Sequence, residues 1–117
     1  MGVYQFSYLE VAEDSSGLAR ENERKALGHS IDLLRAAATN GPESRDAIEA
    51  MSFVNRLWSI LLEDLSQPDN SLEPNLKARL ISIGLWVLKE ADLIRQGQSN
   101  NFDGLIAVSE AIHAGLE

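Results

Sequence analysis

The side chains that could do acid–base chemistry are few and far apart. The chain contains two histidines, His29 and His113, and each falls in a predicted helix without a neighbouring ligand pattern. General acid–base catalysis requires a second group at a defined geometry, which neither position offers. Both are typical of surface or hydrogen-bonded histidines. The sequence therefore predicts a protein that is not an enzyme, with no catalytic residue to assign.

Metal and cofactor motifs are also lacking. The carboxylates of Glu10, Glu13 and Asp14 could approach a hard cation, but their spacing lacks the fixed ligand and glycine positions of a calcium loop. Acidic residues before a helix are more simply explained by a favourable interaction with its N-terminus. The chain has no cysteine, and it contains no phosphate-binding or dinucleotide-binding motif. We expect no metal and no cofactor.

The net charge and the hydropathy of the chain limit the kinds of partner and the cellular location that we expect. The 117 residues carry a formal net charge of −8, which opposes binding to nucleic acid or to an anionic lipid surface. Residues 1–16 contain no Lys or Arg and no continuous apolar run, unlike a secretory signal. The longest apolar run, at residues 80–88, is less than half of the roughly 20 residues that span a membrane. We expect a cytoplasmic protein without direct nucleic-acid binding or membrane insertion.

Apolar residues recur at helical spacing along most of the chain. They predict helices at about residues 17–39, 43–66 and 72–96, and a last helix after the loop at residues 95–101. Because the connections are short, consecutive helices are expected to be antiparallel neighbours. The predicted fold is all-α, a compact bundle of about four helices. Residues 1–117 form one domain, in which 1–14 are an N-terminal aromatic arm and 15–117 the bundle.

The apolar run at residues 80–88 predicts that the third helix is central, because it is apolar over most of its circumference. A glycine inside this helix costs about 1 kcal/mol relative to alanine. We therefore expect another backbone to approach closely at Ser82 and Gly84. The second helix also has a broad apolar face, which implies contact with at least two others. Predicted helix ends include Gly41 in a left-handed conformation, and caps at Ser71 and at Asn100 or Asn101.

The aromatic residues supply the candidates for partner binding. Tyr4, Phe6 and Tyr8 lie close together with Val11, and this arm either folds over its own bundle or meets a partner. Trp58 and Trp86 lie on apolar helix faces, where core packing is expected and a groove for a partner helix is the alternative. The candidate partner-binding residues are Tyr4, Phe6, Tyr8, Val11, Trp58, Trp86, Phe102 and Ile106.

Several short motifs, in this order and spacing, resemble the FlaF family of flagellar biosynthesis regulators of alphaproteobacteria. No single motif is diagnostic, and the likeness depends on their order across nearly the whole chain. They are residues 8–15 with Glu10, Val11, Glu13 and Asp14, the charged residues 20–25, Asp64 and Leu65 with Pro68 and Asn70, residues 80–86, Ile94 with Gly97, Asn101 and Phe102, and residues 104–106.

The resemblance implies a small cytoplasmic protein that promotes flagellin synthesis or secretion, acting with flagellin and opposite a partner regulator called FlbT. Two mechanisms remain open. In the first, the protein binds flagellin as a chaperone-like helper, and an apolar groove shields an amphipathic terminal segment of the subunit. In the second, it regulates flagellin messenger RNA after transcription, through or against FlbT. Both mechanisms are non-enzymatic, and the resemblance carries no catalytic residues.

Overall fold

The computed structural model describes residues 16–115, with side chains from residue 21 onward. Four helices form this part of the chain: α1 (Ser16–Asn40), α2 (Arg45–Leu65), α3 (Pro74–Arg95) and α4 (Phe102–Gly115). No strand occurs among these residues. The all-α bundle predicted from the sequence is confirmed, and each predicted helix lies within a few residues of its position. The predicted arm at residues 1–14 lies outside the described residues.

The helix ends follow from local sequence, with one correction. Gly41 has a φ of 98° and ends α1 as predicted, and the Oδ1 atom of Asn101 accepts a hydrogen bond of 3.0 Å from the backbone N–H of Gly104. The predicted cap at Ser71 is wrong. Glu73 caps α3 instead, because its two carboxylate oxygens accept hydrogen bonds of 3.0 Å from the N–H groups of Asn75 and Leu76.

The two central helices of the bundle are α1 and α2. Helix α1 packs against α2 and α4, whereas α2 packs against α1 and α3; α3 and α4 make few contacts with each other. The short loops make consecutive helices antiparallel. Helix α4 is also antiparallel to α1, because Gly28 lies against His113 and Arg35 forms an ion pair with Glu110. The broad apolar face of α2 therefore contacts two helices, as predicted.

The prediction that α3 is the central helix is wrong. Its buried residues, Gly84, Val87, Ala91 and Ile94, recur at steps of three and four and form one face. Outside this face Leu76, Leu85 and Trp86 are exposed, and Leu85 is 59 % exposed. Ile83 and Leu88 are partly buried against the core. Periodicity shows that a helix has a wide apolar surface but does not show whether the same chain covers all of it. In this bundle α3 is peripheral, and part of its apolar surface faces outward.

The core explains why α3 contains a glycine. Trp58 and Leu62 of α2 press against Gly84, where an added Cβ would lie 2.9 Å from Cε3 of Trp58 and 2.7 Å from Cδ2 of Leu62. The predicted approach of another backbone at Gly84 is wrong, because the close contact there is made by the side chains of Trp58 and Leu62. Ser82 is exposed, so the approach predicted there is wrong. The largest fully buried side chains of the described residues include Trp58, Leu27, Leu34 and Leu105.

Candidate partner-binding surface

The structure divides the predicted partner-binding residues into three groups. Trp58 is 2 % exposed and Phe102 is 4 % exposed, and both belong to the core cluster that holds the helices together. Their assignment to a partner surface is corrected, because a side chain sealed in the core has no area left for a partner. Ile106 is partly buried against the same cluster. Trp86 is 37 % exposed, so its predicted role in core packing is wrong.

The remaining candidates, Tyr4, Phe6, Tyr8 and Val11, lie outside the described residues. Their assignment to partner binding stays a prediction.

Trp86 belongs to a stripe along the outer flank of α3. Leu76, Arg79, Ile83 and Trp86 follow one another at steps of three and four residues, which places them on one face of the helix. We call these residues the α3 stripe. Leu76 is 43 % exposed, Arg79 is exposed and Ile83 is partly buried. The stripe lies beside the buried face of α3, on a flank that the described helices leave partly uncovered.

Other exposed apolar side chains lie away from the stripe. Leu72 precedes the first turn of α3, and Leu85 lies on the opposite flank of the helix from Leu76. Ile48, on the outer surface of α2, is exposed as well. Single exposed apolar residues are common on protein surfaces and need no special explanation. The stripe differs because its apolar members recur along almost three turns at a spacing that a partner helix could match.

Charged side chains of both signs border the stripe. Lys77, Arg79 and Lys89 lie on α3 between Glu73, which caps the helix, and Glu90, which follows Trp86 by four residues. Lys77 donates a hydrogen bond of 2.9 Å from Nζ to the carbonyl oxygen of Asn70. Arg79 has no ion-pair or hydrogen-bond partner among the described residues. The stripe therefore offers apolar area together with an unpaired guanidinium group.

The loop before α3 fixes the position of the stripe. The side-chain amide of Asn70 donates to the carbonyl oxygen of Asp64 at 3.2 Å, and its oxygen accepts from the N–H of Leu72 at 3.1 Å. With the bond from Lys77, these contacts tie the end of α2 to the first turn of α3. The tight contact at Gly84 fixes the middle of the helix. The stripe is thus a preformed surface on a rigid element, which lowers the entropic cost of binding.

The groups considered for chemistry from the sequence do not assemble into a site. His29 of α1 is exposed and packs edge-on against Phe53 of α2, with ring centroids 4.8 Å apart. His113 of α4 lies against Gly28 of α1, away from His29's contact with α2. Among the described residues, no three His, Asp or Glu side chains are close enough to hold a metal ion. No helix in the described part combines the length and the apolar character needed to span a membrane.

A comparison with known protein families shows which family the chain belongs to. The profile of the family described as flagellar protein FlaF matches residues 4–116, nearly the whole chain. The chain belongs to the FlaF family. This FlaF protein therefore has a role related to the flagellum, and FlaF is not a known family of enzymes. No curated protein sequence and no solved structure matches the chain.

Sequence analysis missed three members of the stripe as candidate binding residues. The apolar periodicity that predicts a central third helix includes Leu76 and Ile83, so both are expected to be covered; Ile83 is partly buried against the core, whereas Leu76 is exposed. A signal was nevertheless present, because the steps from Leu76 to Trp86 through Arg79 continue an apolar stripe across a charged residue. An arginine inside such a stripe is typical of a surface that is open to solvent or to a partner.

Proposed function

We propose that this FlaF protein binds flagellin as a chaperone-like helper and that the α3 stripe is the contact surface. The observation that carries the proposal is the partly exposed stripe Leu76, Arg79, Ile83 and Trp86 on a helix whose opposite side is anchored to the core. Membership of a flagellar family supports a flagellar client. The client segment is an amphipathic helix from a terminus of the flagellin subunit.

The chemistry of the stripe suits such a segment. An amphipathic helix can lay its apolar face along α3, because residues at steps of three and four on both helices meet in register. Trp86 supplies a large, rigid contact area, and residues of this type often dominate the binding free energy of an interface. Arg79 can pair with a carboxylate at the edge of the client helix. Shielding an exposed amphipathic segment would keep the subunit from associating before export.

The experiment is co-purification of the full chain with flagellin, compared with flagellin that lacks both terminal segments. Full-length flagellin is expected to bind and the truncated form to lose binding. Trp86→Ser should weaken binding at least about tenfold, since a central Trp often contributes more than 1.4 kcal/mol. The matched control is Leu85→Ser, which removes a more exposed apolar side chain on another flank of the same helix. Equal binding of the two flagellins would overturn the proposal.

The alternative function is regulation of flagellin messenger RNA, and in this chain it would act through a second protein. Direct RNA binding needs clustered Lys and Arg, but this chain carries a net charge of −8. FlbT is the candidate intermediary, and the α3 stripe is available to it as well. If FlbT and not flagellin co-purifies with the full chain, and Trp86→Ser abolishes that binding, the stripe serves regulation through FlbT.

A further inference from the structure

We propose that two copies of the chain pair through the α3 stripe, with their α3 helices side by side and antiparallel. The pairing depends on described residues of α3 and not on the proposed binding of flagellin. A second copy and a client helix would use the same surface, so the pairing covers the apolar stripe until a client displaces the second copy. Only this displacement depends on the proposed function.

The α3 stripe has the spacing of the contact residues in a coiled coil. Its members follow one another at steps of three, four and three residues, and the same alternation continues to Glu90 and Leu93. Helices with this spacing pack side by side when the residues at these positions interlock. Leu76 and Trp86 are exposed, whereas Ile83, Glu90 and Leu93 are partly buried. A contact of this kind can therefore run along most of α3.

An antiparallel arrangement matches these residues to their own copies. When Ile83 of one copy faces Trp86 of the other, two-fold symmetry creates the same contact a second time. Arg79 lies four residues before Ile83, and Glu90 lies four residues after Trp86. The same alignment therefore brings Arg79 level with Glu90 of the second copy. Apolar contacts form the centre of the pairing, and an ion pair lies on each side of it.

The charges of Arg79 and Glu90 favour the antiparallel arrangement over a parallel one. Arg79 has no ion-pair or hydrogen-bond partner among the described residues. The hydroxyl of Ser99 donates a hydrogen bond of 2.7 Å to Oε1 of Glu90, which orients the carboxylate and leaves Oε2 for the second copy. A parallel arrangement would place each charge against its own copy, and facing like charges oppose binding.

The other charged residues of α3 do not oppose the pairing. In the antiparallel alignment, Glu73 and Lys89 each lie level with an uncharged residue of the second copy, and Lys77 lies level with Asp92. Asp92 and Arg95 also pair with each other within one chain, at 2.6 Å. No two like charges on α3 therefore meet across the contact.

The pairing should be weak and reversible. Each copy contributes one helix, and such a contact is smaller than the roughly 1,200–2,000 Å² that a stable interface buries. We expect a dissociation constant of about 1–100 µM, so that the chain is a monomer when dilute and a dimer when concentrated. A client helix that binds the stripe more tightly would displace the second copy.

Sedimentation velocity of the full-length chain at about 1–300 µM tests the pairing without any client. The unmodified chain should change from monomer to dimer over this range. Arg79→Glu and Glu90→Arg should each weaken self-association at least about tenfold, because each replaces two attractions by two repulsions. A chain that stays monomeric over the whole range would overturn the pairing.

A mixture of the two charge variants tests the alignment. A dimer of one Arg79→Glu chain with one Glu90→Arg chain again contains two attractive pairs, so the equimolar mixture should recover the association of the unmodified chain. Recovery would also show that both variants are folded. The matched control is Arg56→Glu with Glu49→Arg, two exposed positions on α2; each control chain alone should associate like the unmodified one. If the first mixture did not recover while circular dichroism matched the unmodified chain, the proposed alignment would be wrong.

Flagellin binding separates this pairing from the proposed function. Glu90→Arg disrupts the pairing but keeps Trp86 and Arg79, so at concentrations above the dimer dissociation constant it should bind flagellin more tightly than the unmodified chain. A complex of flagellin with two paired copies would overturn the use of one surface for both. Failure of both forms to bind flagellin would defeat the proposed function, whereas sedimentation would still decide the pairing.

Discussion

Gly84 of α3 lies directly against Trp58 of α2, and the two helices could not approach as closely if position 84 carried a side chain. An added Cβ would lie 2.9 Å from Cε3 of Trp58, which is itself 2 % exposed and enclosed by the core. The contact fixes one face of α3 on the core and leaves the neighbouring flank, with the α3 stripe, partly uncovered. The position of the candidate binding surface is therefore a consequence of this contact.

Substitution of Gly84 should destabilise the bundle although it improves helix propensity. Alanine gains about 1 kcal/mol of propensity over glycine, whereas overpacking a filled core costs about 1–3 kcal/mol. We expect Gly84→Ala to lower the free energy of unfolding by about 1 kcal/mol and Gly84→Val by more, as measured by urea denaturation. Ser82→Ala, at an exposed position of the same helix, is the control and should be neutral or slightly stabilising. A clear stabilisation by Gly84→Ala would contradict the tight packing.

The two tryptophans should differ strongly in their contribution to stability. Trp58→Ala removes a buried side chain and leaves a cavity, which typically costs about 3–5 kcal/mol. Trp86→Ala removes a side chain on the partly exposed flank, and we expect a loss of no more than about 1 kcal/mol. Urea denaturation of both variants, followed by far-ultraviolet circular dichroism, measures the difference. Similar losses for the two variants would show that the flank of α3 is covered in solution.

Much of this fold follows from local sequence. The number of helices, their positions and the glycine at the end of α1 were predicted because helical periodicity and backbone conformation are properties of short segments. The cap at Asn101 was predicted, as one of two candidates, for the same reason. Tight packing at Gly84 was expected, since a glycine inside a helix needs compensation, but a neighbouring backbone was predicted where the side chains of Trp58 and Leu62 lie.

The sequence did not predict which faces of α3 the other helices cover. The apolar run of α3 is the longest in the chain, yet Leu85 and Trp86 within it are exposed. Nothing in a periodic pattern distinguishes a flank covered by the same chain from one left for another molecule. For the same reason Trp86 was expected in the core, and Leu76 was not expected at the surface, where it is 43 % exposed. Local chemistry also misled at Ser71, because Glu73 is one residue before the helix and has a longer reach.

The cap of α3 gives a direct comparison between the predicted and the observed residue. Glu73→Ala removes the acceptor for two backbone N–H groups and should cost about 1 kcal/mol of stability. Ser71→Ala should be neutral within about 0.5 kcal/mol, because that residue lies outside the helix and is exposed. Urea denaturation of the two variants tests this directly. If Ser71→Ala were the more harmful, Ser71 and not Glu73 would cap α3.

The ion pair between Arg35 and Glu110 should contribute little to the free energy of unfolding. It joins α1 to α4, but its side chains are 56 % and 46 % exposed, so solvent and salt screen the attraction. A double-mutant cycle with Arg35→Ala and Glu110→Ala should give a coupling free energy of about 0.2–1 kcal/mol at low salt. The coupling should fall further in 0.5 M NaCl. A coupling free energy several times larger would require an ion pair that is more buried than these exposures allow.

The α3 stripe also separates the two flagellar mechanisms in living cells. If the protein binds flagellin, Trp86→Ser should lower the amount of exported flagellin several-fold while flagellin messenger RNA keeps its level and half-life. Leu85→Ser should leave both unchanged, because that side chain lies off the stripe. Immunoblots of cells and medium, together with RNA half-lives, measure the two effects in one experiment. A change in RNA half-life that precedes any fall in exported flagellin would favour regulation through FlbT.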